Sequence, residues 1–373
     1  LLQRGKSVKQ KRTRRRHLMV AKWALILVAM ISIPSMVGNF LWRQPPATRP
    51  GSTNRQAKTF YDQAVQDLQS KTPGYGQRAY ANLTKAVKAD PRFMDAYYLM
   101  FETQFHGNFL PGGNDRIAMN LAECAPGSAE FHTVNSLIKF NEWSFDDAIN
   151  EAKQAIKLNP KLMRTHGLYG WYLELAHGDA EAALREYEQA ERLDPSDMVI
   201  QEVKAGPYIM ERKFDLAIKQ LNKAIQLDLN KAEPHERLSE VYEADKQYEE
   251  AIGEHEAWAV SSGEDPAFTK KWHQKMRSIL REKGPVGWWQ AQLDGQKEYF
   301  NNRGEAYWAA QVNARLGNTN EVFRFLNQAL NERDRRMPYL LEDDPWDGYR
   351  NDPRFKELLD KVGFTKIAPS PEK

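Results

Sequence analysis

Small and apolar residues return along the middle of this chain three or four positions apart within a segment, and about 34 residues apart between segments. In AINEAKQAIKLNP they are Ala148, Ala152 and Ala155; in ALREYEQAERLDP, Ala183, Tyr187 and Ala190; in AIKQLNKAIQLDL, Ala217, Leu221 and Ala224. Such spacing places each set on one face of a helix. The last alanine of each set, continued by Trp258 in AIGEHEAW, advances in steps of 35, 34 and 34. Ala86 lies 69 before Ala155 and Ala329 lies 71 after Trp258, so each gap holds room for one degenerate unit, where Leu121 with Pro126, and Leu293, fall. No valine- and isoleucine-rich alternation marks a strand. The pattern predicts an all-α chain of stacked helical units.

The breaks fit the same period. Asn159-Pro160 and Asp194-Pro195 stop one helix and start the next, because the residue before proline avoids helical angles and proline suits a first helical turn. Gly178-Asp179 and Gly317-Asn318 supply the turn inside a unit. The alanines let neighbouring helices approach closely, and Tyr187, Leu221 and Trp258 fill the remaining volume.

A second pattern lies before the repeats. WALILVAMISIPSMVGNFLW, Trp23 to Trp42, is twenty residues without a charge. As a helix it would reach about 30 Å, a bilayer's hydrocarbon thickness. Trp23 and Trp42 sit where indoles favour the membrane interface, and Pro34 predicts at most a kink. Residues 1–22 carry nine Lys or Arg and no acid. Alone, KQKRTRRRH resembles a nuclear-localisation or phosphate-binding patch; beside this apolar run it reads as a positive-inside flank. The run exceeds a signal-peptide core of about 7–15 residues, and no small-x-small site follows. The expectation is a single-pass inner-membrane protein with a cytoplasmic amino end and a periplasmic or extracytoplasmic body. The predicted organisation is a basic segment at 1–22, a transmembrane helix at 23–42, a Pro/Gly/Ser/Thr/Arg linker at 43–56, repeats at 57–334, a capping segment at 335–366 and a tail at 367–373.

Charge and chemistry narrow the function. Removing those nine bases from the chain's 53 leaves 44 against 50 acids, so the body is mildly acidic and unsuited to nucleic acid. One cysteine, Cys124, permits no internal disulfide and no cysteine-based zinc site. His255-Glu256 lacks the second histidine of a zincin helix, and eight histidines show no ligand spacing. Gly74-Tyr75-Gly76-Gln77-Arg78-Ala79 has the glycines of a dinucleotide loop, but no strand precedes it and it opens a repeat helix. No Walker loop and no Gly-x-Ser-x-Gly elbow is present. The expectation is a non-enzyme with no cofactor and no metal.

With its period and its alanine pattern, the region 57–334 resembles the tetratricopeptide repeat, a helix-turn-helix unit whose tandem copies form an α-solenoid. The resemblance implies that the first helix of each unit lines a concave groove for protein or peptide partners. It assigns to that groove Phe93 and Met100, then Thr165, Leu168 and Tyr172, then Glu202, then Glu233, Glu236, Glu240 and Glu243, then Tyr307 and Gln311. The four glutamates recur at helical spacing; they are either a solvated helix face or an acidic strip suited to a basic or extended peptide. Relatives that clamp a peptide carboxylate use lysine and asparagine there, which this strip lacks. Trp288-Trp289, with Trp272 and Trp308 nearby, is either core or an aromatic platform.

The closing stretch ALNERDRRMPYLLEDDPWDGYRNDPRFKELLDKVGF, and FYDQAVQDLQSK at the start, resemble the repeat domains of bacterial membrane-integrated signalling proteins. In those, a winged-helix or kinase domain precedes one membrane helix. Asp352 caps a short helix with Pro353 at its first position, and Phe355, Leu358 and Leu359 cover the last open face of the solenoid. The chain opens Leu-Leu-Gln, so residue 1 reads as internal to a longer polypeptide. The resemblance implies a membrane-anchored interaction module of a signalling protein, or alternatively a stand-alone anchored adaptor for envelope assembly.

Overall fold

The computed structural model describes residues 51–70, 72, 74–104, 113–195, 197–227, 232–300 and 306–364. The basic segment, the run Trp23–Trp42 with both its tryptophans, most of the linker and the tail lie outside them. The expectation of a single-pass membrane protein is corrected: no helix of the described residues is long and apolar enough to cross a membrane.

The described elements are all helical. They run α1 (Arg55–Ser70), α2 (Tyr75–Ala89), α3 (Met94–Gln104), α4 (Gly113–Cys124), α5 (Ala129–Asn141), α6 (Phe145–Leu158), α7 (Met163–His177), α8 (Ala180–Leu193), α9 (Met198–Val203) and α10 (Ala205–Met210). There follow α11 (Phe214–Leu227), α12 (Glu233–Ala244), α13 (Tyr248–Ser261), α14 (Pro266–Phe300), α15 (Ala306–Arg315) and α16 (Thr319–Asn331). Two 3₁₀ turns, Met337–Leu341 and Asp344–Trp346, and α17 (Pro353–Val362) close the chain. Consecutive helices pair as antiparallel hairpins: α1 with α2, α3 with α4, α5 with α6, α7 with α8, α9 and α10 with α11, α12 with α13, and α15 with α16. Both degenerate stretches take this plan. The first is α3 and α4. The second is α14, which reverses at Gly284 (φ 68°) before Pro285 and so supplies both of its helices without a loop.

The second helices bury the predicted stripe, alone in α8 and α11 and together with Phe145 and Ile149 in α6. Ala148, Ala152, Ala155, Ala183, Tyr187, Ala190, Ala217, Leu221 and Ala224 are all fully buried, whereas Trp258 is half-buried and its neighbour Ala259 takes the inner position. First helices are enclosed on more sides. In α7, twelve of fifteen residues are buried, among them Arg164, Thr165, His166 and Glu174. The fifth unit's first helix is broken at Lys204, because Pro207 can neither donate to nor pack beneath the carbonyl four residues back.

The turn inside a unit repeats as faithfully as the alanines. Trp143, Gly178, Arg212, Lys246 and Gly317 all have φ between 59° and 74°. After each, an amide closes a loop onto the first helix: Ser144 to Lys139 O, Lys213 to Tyr208 O, Gln247 to Tyr242 O and Asn318 to Asn313 O span six residues and Asp179 to Leu173 O spans seven, all at 2.8–3.0 Å. This is the Schellman ending that glycine adopts most cheaply. At Trp143 and Arg212 a larger side chain is kept because it is used elsewhere, as described below.

Polar links between the two helices of a unit share the period. His132 Nδ1 meets Glu151 (2.5 Å), His166 Nδ1 meets Glu186 (2.7 Å) and His235 Nδ1 meets Glu254 (2.6 Å). Gln201 and Gln220 occupy the corresponding slots of the fifth unit. Between units six and seven, His255 Nδ1 donates to His273 Nε2 (2.8 Å) while His273 Nδ1 donates to Thr269 O (2.7 Å), so both rings are neutral.

The cores are not evenly shared along the solenoid. Units five to seven hold two small clusters, one around Leu221 and Leu238 and one around Trp288, Trp289 and Met276. The first four units and α9 of the fifth share one large core with α15, α16 and the closing segment, including Tyr172, Tyr307, Trp346 and Phe355. The superhelix has curled far enough for its end to meet its third unit. Arg333 lies over the Trp143 ring (5.1 Å) and Phe364 stacks on Phe145 (5.5 Å).

Two expected outcomes follow from this packing. A Cβ on Gly170 would lie 2.8 Å from the Tyr187 ring and 3.1 Å from Ala183 O, so Gly170→Ala should lower stability in denaturant unfolding by about 1–3 kcal/mol. Gly253→Ala, with nothing closer than Arg277 at 3.9 Å in mid-helix, should raise it by about 0.5–1 kcal/mol. The second outcome concerns acid. Burial, and then the neighbouring His273, push His255 down to about 3. A base depressed in the fold contributes stability that is full above its unfolded value near 6.5 and is lost as pH falls. His255→Asn should therefore flatten the decline of melting temperature between about pH 6.5 and 3.

Candidate partner-binding groove

The first helices α3, α7, α9, α12 and α15, with Phe93 just before α3, carry the residues assigned to the groove, and the structure divides them. Phe93, Met100, Thr165, Leu168, Tyr172, Glu202 and Tyr307 are buried. Phe93 packs on Tyr61 (5.0 Å), Thr165 bonds the Thr133 hydroxyl (2.8 Å), and Tyr172 stacks on Phe140 and bonds Ser136 (3.1 Å). These side chains hold helices together and are not a ligand surface. Glu233, Glu236, Glu243 and Gln311 are half-buried, and Glu240 is exposed. Trp288 and Trp289 are buried, 4.3 Å apart, under Tyr248. They are core.

The occupant of the concave face is the chain's own closing segment. It was expected to cap the last unit, and α17 does pack on α16 with Asp352 accepting from Arg354 N. The segment also reaches back across the solenoid. The turn Met337–Leu341 lies on α7, and Asp344–Trp346 lies on α15. Met337, Leu340, Leu341 and Trp346 are wholly buried there. Four side chains of this size contribute roughly 6–12 kcal/mol of burial at about 1.5–3 kcal/mol each, so the segment is an integral part of the fold.

Three arginines missed in the sequence grip the segment's carboxylates. Arg212 holds Asp347 through two bonds of 2.6 and 2.9 Å and also donates to Glu342 O (2.7 Å) and Ile209 O (2.9 Å). Arg237 pairs with Glu342 (2.5 Å) and lies over the Tyr339 ring. Arg315 takes Asp344 through two bonds of 2.8 and 3.1 Å. Tyr307 OH and Gln311 Nε2 both donate to Asp343 Oδ2 (2.8 Å each), and Trp346 Nε1 donates to Tyr307 OH (2.9 Å). Arg212 was only partly legible: glycine stands at the same turn position in Gly178 and Gly317, but Trp143 and Lys246 stand there too. The conformation costs a non-glycine residue about 1–2 kcal/mol, and the carboxylate contact offsets it.

Beside the segment, α12 presents the four glutamates. Arg336 approaches Glu236 (3.6 Å) and Arg315 approaches Glu243 (3.9 Å), while none of the ion pairs among the described residues takes Glu240. Desolvation pushes Glu236 up to about 7 and Glu243 up to about 8, against the pull of Arg336 and Arg315 respectively. Glu240 moves in the same direction for the same first reason. Asp343, half-buried beneath Tyr307 and facing Glu342 and Glu240, rises to about 8, with desolvation the first cause. Water reaches the tips of Glu236 and Glu240, but protein surrounds them. No group of histidine, cysteine and carboxylate side chains among the described residues is arranged to hold a metal ion.

No protein-family model and no curated protein matches the chain. Solved structures do. The crystal structure of the APC/C hetero-tetramer Cut9–Hcn1 matches with TM-score 0.54 at 13% identity, over 82% of this chain and 55% of that one. Yeast Tom70 matches with TM-score 0.49 at 14% identity, over 88% and 72%. A thermophilic TPR protein of Thermus thermophilus matches with TM-score 0.34 at 16% identity, over 59% and 97%. The fold is that of a tetratricopeptide-type α-solenoid. The comparisons do not show the resemblance to membrane-integrated signalling proteins.

Removing the Arg212 side chain should be costly in proportion to its contacts. Arg212→Ala should lower unfolding free energy by about 2–4 kcal/mol. Arg212→Gly, which also loses the contacts but relaxes the backbone, should recover about 1 kcal/mol of that. Arg324→Ala, at an exposed pair with Glu321, should change stability by less than about 0.5 kcal/mol.

Proposed function

We propose that this solenoid is a protein-interaction module, not an enzyme, and that it engages cationic stretches of a partner through the α12 glutamates. The observation that carries this reading is the division of the concave face: its aromatic and small positions are consumed by packing, and of the assigned positions the acidic strip and Gln311, itself bonded to Asp343, still meet water. Glu233, Glu236, Glu240 and Glu243 outnumber the arginines paired with them, so the strip carries a negative field once pH rises through the raised values of Glu236 and Glu243, about 7 and about 8. Such a field favours lysine- or arginine-rich segments and speeds their encounter. Cut9–Hcn1, whose fold the chain resembles, is a protein assembly, which agrees with this class of role.

The test uses a fluorescent oligolysine peptide and its oligoglutamate counterpart, read by anisotropy on the full chain. Oligolysine should bind with an affinity that falls with salt, and oligoglutamate should not. Glu236→Lys with Glu240→Lys should weaken oligolysine binding by at least about tenfold. Glu249→Lys with Glu250→Lys, the same change of charge at exposed positions of α13, should weaken it far less. Equal losses from the two pairs would mean that net charge alone attracts the peptide and that the strip is no site.

A further inference from the structure

The deepest contact between the closing segment and the solenoid is short of one hydrogen atom. Glu174, on α7, accepts from Tyr187 OH with Oε2 (2.7 Å), and its Oε1 is buried without a partner. Glu342, on the segment, takes Arg237 with Oε1, and its Oε2 is buried without a partner. The two carboxyl groups face each other, and each is essentially inaccessible to water. Gly206 makes the room, since a Cβ there would overlap the Glu174 carboxylate. Two carboxylates beside one arginine leave an excess negative charge in the interior, and two orphaned acceptors leave a donor missing. One proton between the oxygens removes both defects.

We propose that a proton shared by Glu174 and Glu342 latches the closing segment onto the concave face, and that its loss at alkaline pH loosens the segment next to the acidic strip. The groups around the pair are Tyr187 from α8, Arg237 and Glu240 from α12, and Tyr339 and Asp343 from the segment. Arg212 reaches only the Glu342 carbonyl. Arg237 is the one cation in contact with the pair among the described residues, and Glu240 and Asp343 add to the negative side.

The sign follows from burial. Desolvation, and next the Glu342 charge, raise Glu174 well above the ordinary carboxylate range. A group raised in the fold contributes stability that is complete below its unfolded value and is lost as pH rises through its folded one. The closed state therefore weakens toward alkaline pH, by up to about tenfold in the opening equilibrium per pH unit for one proton. Asp343, Glu243 and Glu236 act in the same direction through about pH 7–8. The buried Met337, Leu340, Leu341 and Trp346 keep the segment from being expelled by this change alone. Protons set how easily it is moved aside.

The consequence for a partner rests on the function proposed above, whereas the latch does not, so it is tested with no partner present. Hydrogen exchange of the Leu340–Trp346 amides in the full chain, corrected for intrinsic rates, is followed from pH 6 to 9 against the amides of α8. Protection of the segment should fall with pH in the native chain. Glu174→Gln, whose amide supplies the missing hydrogen without titrating, should make that fall less steep by about tenfold per pH unit within the titration range. Parallel profiles for the native chain and Glu174→Gln would overturn the proposal. Should Glu174→Gln lose its helical circular dichroism, Tyr187→Phe replaces it: without the donor that favours the Glu174 carboxylate the fall should begin at higher pH, and an unmoved profile would overturn the proposal. A native segment whose protection is flat with pH would overturn the proposal without any variant.

Discussion

A carboxylate with no access to water must have a partner inside the protein, and Glu342 satisfies that requirement with Arg237. Much of the concave face depends on that one pairing. It draws the turn Met337–Leu341 onto α7, sets Asp343 beneath Tyr307 and leads the chain on to α17. Once the segment is seated, the first-helix surface that a solenoid of this kind leaves open is covered by the protein itself. What stays exposed is the acidic edge of α12.

The hairpins make that seat reachable. Alanines on the second helices, and Gly170 under Tyr187, bring helices close enough to bend the array. The bend returns the last unit to Trp143 and Phe145 in the third, where Arg333 and Phe364 meet them. Curvature is thus a consequence of side-chain volume, and the common core of the two ends is a consequence of curvature. The two small clusters of units five to seven lie between the third unit and the last.

The helical architecture was legible in the sequence because a period is redundant. Nine stripe positions over three units all proved buried, and the two degenerate units were placed by spacing even where their residues had drifted. The groove was less legible for a physical reason. Whether Tyr172 or Tyr307 faces a partner or the interior depends on what lies across from it, which is Phe140 of another helix for Tyr172 and Trp346 of the closing segment for Tyr307. Periodicity within one helix carries no information on such a contact. Arg212 was only partly within reach, since its turn position takes glycine in two units but Trp143 and Lys246 in two others. Arg237 and Glu174 were not, since each is an ordinary charged residue on an amphipathic helix until the segment buries it. The expectation of a membrane-spanning protein rested on residues 23–42, and no helix of the described residues supports it.

The most direct measurement on the seated segment is a double-mutant cycle on Arg237 and Glu342, read by denaturant unfolding of the full chain. Arg237→Ala and Glu342→Ala should each be strongly destabilising, and the double variant should lose clearly less than their sum, by about 2–5 kcal/mol, because neither charge is then left buried alone. Additive losses, within about 0.5 kcal/mol, would mean that the two side chains do not meet. The closing segment would then not lie on the concave face.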